Sequence, residues 1–155
     1  MTYELSRAVV DAFYKAYATR DIDKIAPFIH DDIEWTISGP IDYLPFCGTH
    51  SGKASVLDLI ENKVKAVLRT FSFVPEAIVI DGDQVAMLSR QSAKRARDGA
   101  TISYRVANVM RFRDDKVIEN FSLIDSYDAV EQVCGQPLVA ANGHNAENGE
   151  LVVAV

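Results

Sequence analysis

The chain has 155 residues, 48% hydrophobic and 25% charged, which suits one globular domain and leaves disordered, collagen-like and transmembrane classes without compositional support. Its 16 Lys and Arg against 22 Asp and Glu give a formal net charge of -6, which repels phosphate backbones and anionic membranes, so neither nucleic acid nor a membrane is an expected partner. Two cysteines without a CxxC spacing, and an amphipathic start in place of a basic and then apolar leader, predict a cytoplasmic protein with reduced thiols and no structural zinc.

From Tyr3 to Thr19, the residues Leu5, Ala8, Val9, Ala12, Phe13, Ala16 and Tyr17 recur at three- and four-residue steps, which predicts a helix burying that face. Asp21 is a suitable N-cap for a shorter helix carrying Ile22, Ile25, Phe28 and Ile29, distorted by Pro27 and ending near His30. Ile33 to Ser38 alternates as a strand, with Ile33, Trp35 and Ile37 on one side. The segment from Gly39 to Gly52 reads as a long loop, and loops of this length in compact domains are commonly functional. Its glycines permit unusual backbone angles, so Phe46, Cys47 and His50 are expected at a pocket mouth more mobile than the sheet.

A third helix is predicted from Lys53 to Leu68, with Val56, Leu57, Ile60, Val64 and Val67 facing inward. The period then changes. Phe71 to Ile80, Gln84 to Ala96, Thr101 to Arg113 and Lys116 to Ser126 are strand-like, divided by the turn residues Asp81-Gly82-Asp83, Arg97-Asp98-Gly99 and Asp114-Asp115. This is the pattern of an antiparallel meander, and Lys94, Arg95 and Arg97 read as a solvated turn within it. A short helix from Tyr127 to Val133 precedes a turn-rich tail, 136–155, that is either loose or adds an edge strand. The chain is thus read as one α+β domain, 1–155.

Three stretches resemble a known family. RDIDKIAPFIHDDIEW is similar to the second helix and first strand of SnoaL-like polyketide cyclases and ketosteroid isomerases. PFCGTHSGKASV resembles the loop leading into their third helix, and NVMRFRDDKVIENFSLID their last hairpin, which often ends in an acid. Together these cover most of residues 5–130. The resemblance implies the nuclear transport factor 2-like fold, in which a curved antiparallel sheet packs against three helices from the N-terminal half as a cone-shaped barrel around a small-molecule pocket. It implies either cofactor-independent isomerase, cyclase or lyase-like chemistry or non-catalytic binding, because this scaffold hosts both.

Matching the motifs places Phe13 where ketosteroid isomerases carry a donor tyrosine, Ile37 at their base and Asn108 at their oxyanion-hole aspartate, so that mechanism is not expected here. If Ile37 and Asn108 face the cavity, alternation brings Trp35, Tyr104, Val106, Met110 and Phe112 with them, a largely apolar and aromatic wall suited to a small molecule. Tyr17, one turn after Phe13, either joins this wall or packs in the core. Asp125 stands where the family pattern ends in an acid and is equally placed to cap the following helix; an apolar setting there would raise its pKa. His50 is a proton-transfer candidate or an exposed loop residue, His30 suits a helix end, and His144 lies in the tail. No metal-ligand motif joins them.

The expected function is therefore a small-ligand pocket, either performing proton transfer with Asp125, Asn108 and His50 or only binding. The outer row Ser103, Arg105, Ala107, Val109, Arg111 and Arg113 mixes an apolar centre with charged ends, which suits a homodimer interface or a solvated face.

Overall fold

The computed structural model describes residues 3–138. Helix α1 (Arg7–Ala18) begins where the Ser6 hydroxyl accepts from the Val9 N–H at 3.3 Å. It buries Val10, Phe13 and Tyr14, while Ala8 and Ala12 are exposed. The predicted face is thus rotated: aromatic rings bury far more area than alanine methyls, so they decide the phase of the helix. Phe13 packs against Tyr14, Tyr17, Phe28 and Phe112 with ring centres 5.3 to 6.1 Å apart.

Asp21 caps α2 (Ile22–Ile25) through its carboxylate and the Asp23 N–H, and a 3-10 turn (Ala26–Phe28) containing Pro27 ends the helical path. Strand β1 (Ile29–Ser38) starts earlier than predicted, with a register shift between Ile29 and Glu34. The expected loop is shorter than read, because Gly48–Ser51 forms β2 and pairs back on β1 with His50 opposite Trp35. Between them, Leu44, Phe46 and Cys47 are buried.

The third helix is interrupted: α3 (Lys53–Asp58) passes into a π-helical turn (Leu59–Lys63) before α4 (Val64–Val67). The wider turn lets the consecutive residues Leu59 and Ile60 both be buried. The meander follows as β3 (Leu68–Asp81), β4 (Gln84–Arg95), β5 (Thr101–Arg113) and β6 (Lys116–Ile124), then α5 (Ser126–Cys134). The last of its turns places Asp114 and Asp115 at φ of 51° and 60°, a left-handed pair that aspartate tolerates better than most side chains.

The six strands form one curved sheet in the order β2-β1-β6-β5-β4-β3. It is open, with β2 and β3 at its edges, and β1 runs parallel to β6, so the sheet is not wholly antiparallel as expected. The physical cause is the helical crossover, which carries the chain to the far edge; three hairpins then return β6 beside β1 in the same direction. Inward side chains of β4, β5 and β6 meet α1 and β1 in a single apolar cluster. Of the tail, residues 139–155 lie outside the described residues.

Candidate functional site

The concave face of the sheet does not close on solid core. Two adjoining cavities lie between it, α1 and α4, and both are lined by Tyr17, Trp35, Gln91, Val106 and Ser122. The outer one, about 410 Å³ of atom-free space including its mouth, adds Arg20, Phe46, Phe71 and Tyr104. The inner one, about 330 Å³ on the same measure, adds Phe13, Tyr14, Phe73, Asn108, Met110 and Asn120. Both are lined mainly by apolar and aromatic groups, the usual makeup of a small-molecule site.

A polar row crosses the inner cavity. The Asn108 Nδ2 donates to Tyr14 Oη and to Asn120 Oδ1, each at 3.4 Å, and Asn120 Nδ2 donates to Ser122 Oγ at 3.0 Å. Alternation on β5 and β6 builds it, since Asn108 stands opposite Ser122 and Met110 opposite Asn120. The two 3.4 Å contacts are long, so these groups retain capacity to bond a ligand oxygen. Burial pushes the Tyr14 phenol above its ordinary range, more than the bond from Asn108 lowers it, so it remains a neutral donor. Tyr104 is likewise raised by burial, with Arg20 pulling the other way.

Arg20 is the cation of this lining. Its guanidinium carbon sits 4.2 Å from the Tyr17 ring centre and 3.8 Å from that of Phe71. Among the described residues, its buried Nε and Nη2 have no hydrogen-bond partner. No carboxylate or histidine lines either cavity among the described residues.

The structure brings together Phe13, Tyr17, Trp35, Ile37, Phe46, Tyr104, Val106, Asn108 and Met110 around these cavities. It does not bring Asp125 there. Asn120, Ser122 and Ile124 of β6 turn inward, so by the two-residue period the next side chain turns out; Asp125 is exposed and accepts from the Asp128 N–H as the N-cap of α5. The apolar surroundings expected for its carboxyl are therefore missing. His50 is buried rather than exposed, with Nε2 3.1 Å from the Phe46 carbonyl oxygen, and it lines neither cavity. Its ring braces the turn that presents Phe46. Cys47 is also buried, and burial raises its thiol to about 11, which disfavours a reactive thiolate.

The sequence reading passed over Tyr14, Arg20, Gln91, Asn120 and Ser122. Asn120 and Ser122 were detectable as polar residues two apart on one strand face. Tyr14 was hidden by the misplaced helix phase, and no local pattern around Arg20 marks it as a cavity residue. Among the described residues, no three His, Cys, Asp or Glu side chains gather to hold a metal, and no helix is long and apolar enough to cross a membrane.

Residues 10–120 match the SnoaL-like domain, well over half of the chain. The chain belongs to the SnoaL-like family. A Rhodopseudomonas palustris structure provisionally described as an isomerase is 29% identical, with a TM-score of 0.77 over 85% of this chain and 100% of that one. TerC, co-crystallized with polyporic acid, is 22% identical with a TM-score of 0.72 over 81% and 95%. An LEH-like epoxide hydrolase of M. tuberculosis is 17% identical with a TM-score of 0.66 over 83% and 88%. No curated protein matches the chain. In this SnoaL-like chain, Phe13 and Ile37 line the site without a donor or a base, and the hydroxyl bonded to Asn108 comes from Tyr14.

Proposed function

We propose that this protein binds a small, mostly apolar, oxygenated molecule, with its body against Trp35 and Phe46 and an oxygen at the Tyr14–Asn108–Asn120–Ser122 row. The observation that carries this reading is that row itself, loosely bonded inside an aromatic cavity. The two 3.4 Å contacts leave hydrogen-bonding capacity at Tyr14 and Asn108 unspent, so a ligand oxygen is the natural partner. Neither a cofactor nor a metal enters this reading. The two unpaired cysteines, Cys47 and Cys134, favour a reducing compartment such as the cytoplasm.

Trp35 is the single tryptophan and borders both cavities, so its fluorescence reports on the site. Titration with a panel of aromatic ketones, alcohols and acids should quench or shift it saturably, and Asn108→Leu should weaken the ketones and alcohols by about tenfold. A flat response across the panel would sink the pocket reading.

A second reading is proton transfer on that ligand, as in isomerisation, cyclisation or dehydration. The neutral Tyr14 phenol beside the Asn108 amide favours it, because together they can polarise a carbonyl oxygen. The sequence nominated Asp125 and His50 for the proton; Asp125 is tested by Asp125→Asn, which preserves the cap. A fall in turnover of about 10²-fold supports its role, and unchanged turnover removes it.

The homodimer belongs here too. On the outer face, Leu88, Ala107 and Leu123 lie side by side across three strands, as do Ala86, Val109 and Phe121. Val109, Phe121 and Leu123 are 46%, 45% and 52% exposed, and Glu76 with Arg90 and Arg105 supplies a charged rim. An apolar centre with a polar rim is the anatomy of a protein interface.

A further inference from the structure

Arg20 is held in a way that solvent exposure does not explain. It stands just after the C-cap of α1 with φ of 56°, the left-handed conformation in which many helices end. Tyr17, one turn earlier, and Phe71, from β3, both stack against the guanidinium. Stacked rings satisfy the plane of the group but accept nothing from its N–H edge. That edge is where the anomaly sits. Nε and Nη2 lie on the same side of the planar fork, at the spacing that meets the two oxygens of one carboxylate, and both are buried without an acceptor among the described residues.

The neighbourhood reinforces the charge. A groove next to the outer cavity shares Arg20, Val64, Leu68 and Phe71 with it and adds Lys65 and Arg69. Three cations thus line one groove beside the outer cavity, in a protein whose net charge is -6. Of these, Lys65 pairs with Glu61 at 3.6 Å on the exposed helix surface. Thr70, in the same groove, has φ of 51°, an outlier for a β-branched residue, and it sits in the register shift between Arg69 and Ser72. Strain of the Thr70 kind is commonly retained at binding sites.

We propose that the ligand of this pocket is an organic carboxylate, its two oxygens paired with the Nε and Nη2 edge of Arg20 and its apolar body directed past Tyr17 and Trp35 into the cavity. This rests on the pocket reading above and specifies the substrate class. The cation-lined groove draws the anion in, and the Arg20 edge selects a planar, two-oxygen acceptor over a neutral amide or alcohol.

The experiment titrates Trp35 fluorescence with benzoate and phenylacetate, and with their neutral counterparts benzamide and phenylacetamide, at low and high salt. The acids should bind the wild-type protein at least about tenfold more tightly than the amides, with the preference shrinking as salt rises. In Arg20→Met, checked for fold by circular dichroism, acid and amide should bind within about threefold of one another. Arg20→Lys keeps the charge without the fork and should recover only part of the preference. Equal binding of acids and amides to the wild-type protein would overturn the carboxylate assignment and leave the pocket reading standing. An acid preference that survives Arg20→Met would overturn the role of Arg20. Absence of binding by all four probes would overturn this inference, and the pocket reading falls with it if the ketones and alcohols are equally without effect.

Discussion

Side chains in this domain reverse their ordinary chemistry when the sheet covers them. Cys47 is 4% exposed, and loss of hydration lifts its thiol from the usual 9 to about 11. The folded pKa is raised, so the folded state binds more protons than the unfolded one between those values. The associated stability is complete below about pH 9 and is lost as pH rises through 11, on the order of 2 to 3 kcal/mol in all. Urea unfolding at pH 8, 9, 10 and 11 should show this decline, and Cys47→Ala should flatten it between pH 8 and 10. A wild-type profile as flat as the variant's would mean that the thiol keeps access to water. Tyr14 and Tyr104 are raised in the same sense by burial and begin to act above their ordinary value of about 10, so the Cys47 contribution is read most cleanly between pH 9 and 10.

Among the elements, α5 shows how a helix completes a sheet. The last pair between β5 and β6 is Val106 with Ile124, so the start of β5 has no β6 partner. Gln132 takes that place: its Oε1 accepts from the Ser103 N–H and its Nε2 donates to the Ser103 carbonyl, both at 2.6 Å. Arg95 Nη1 and Arg97 Nη2 donate to the Gln132 and Cys134 carbonyls at the open end of α5, at 2.7 and 2.6 Å. Arg95 also holds Asp98, whose carboxyl it keeps down at about 2. The basic turn expected to be solvated is therefore a staple for the helix. Gln132→Ala leaves both backbone groups of Ser103 without a protein partner, and should lower unfolding free energy by about 1 to 3 kcal/mol in a urea titration. A change below about 0.5 kcal/mol would show that water replaces the amide.

For the whole molecule, the two faces of the sheet divide the work. The concave face holds the cavities, and the convex face carries the exposed rows centred on Val109, Phe121 and Leu123. A two-fold interface would use the same patch of that face on both copies, so one substitution acts twice. Sedimentation velocity at micromolar concentration should give the mass of a dimer, and Leu123→Lys should shift it to the monomer while leaving Trp35 ligand titrations intact. A monomeric wild-type protein at that concentration would remove the dimer proposal.

Local chemistry wrote much of this architecture into the chain. Strand β5 has the bounds predicted from alternation, and the turns around Gly82, Asp98-Gly99 and Asp114-Asp115 fall where residue type demanded them, because a hairpin is decided by neighbours in sequence. The apolar wall from Trp35 to Met110 follows from the same two-residue period once one strand is oriented. Tertiary structure decided the rest. The parallel pairing of β1 with β6 joins segments far apart in the chain, and no local pattern encodes it. The phase of α1 depended on which residues found rings to pack against, which brought Tyr14 to Asn108. Asp125 was sent outward and Asn120 and Ser122 inward by the register of β6. Arg20 acquired its character only when Phe71, from a distant strand, closed over a guanidinium that the sequence presents as an ordinary charge at a helix end, since burial is a property of the assembled fold.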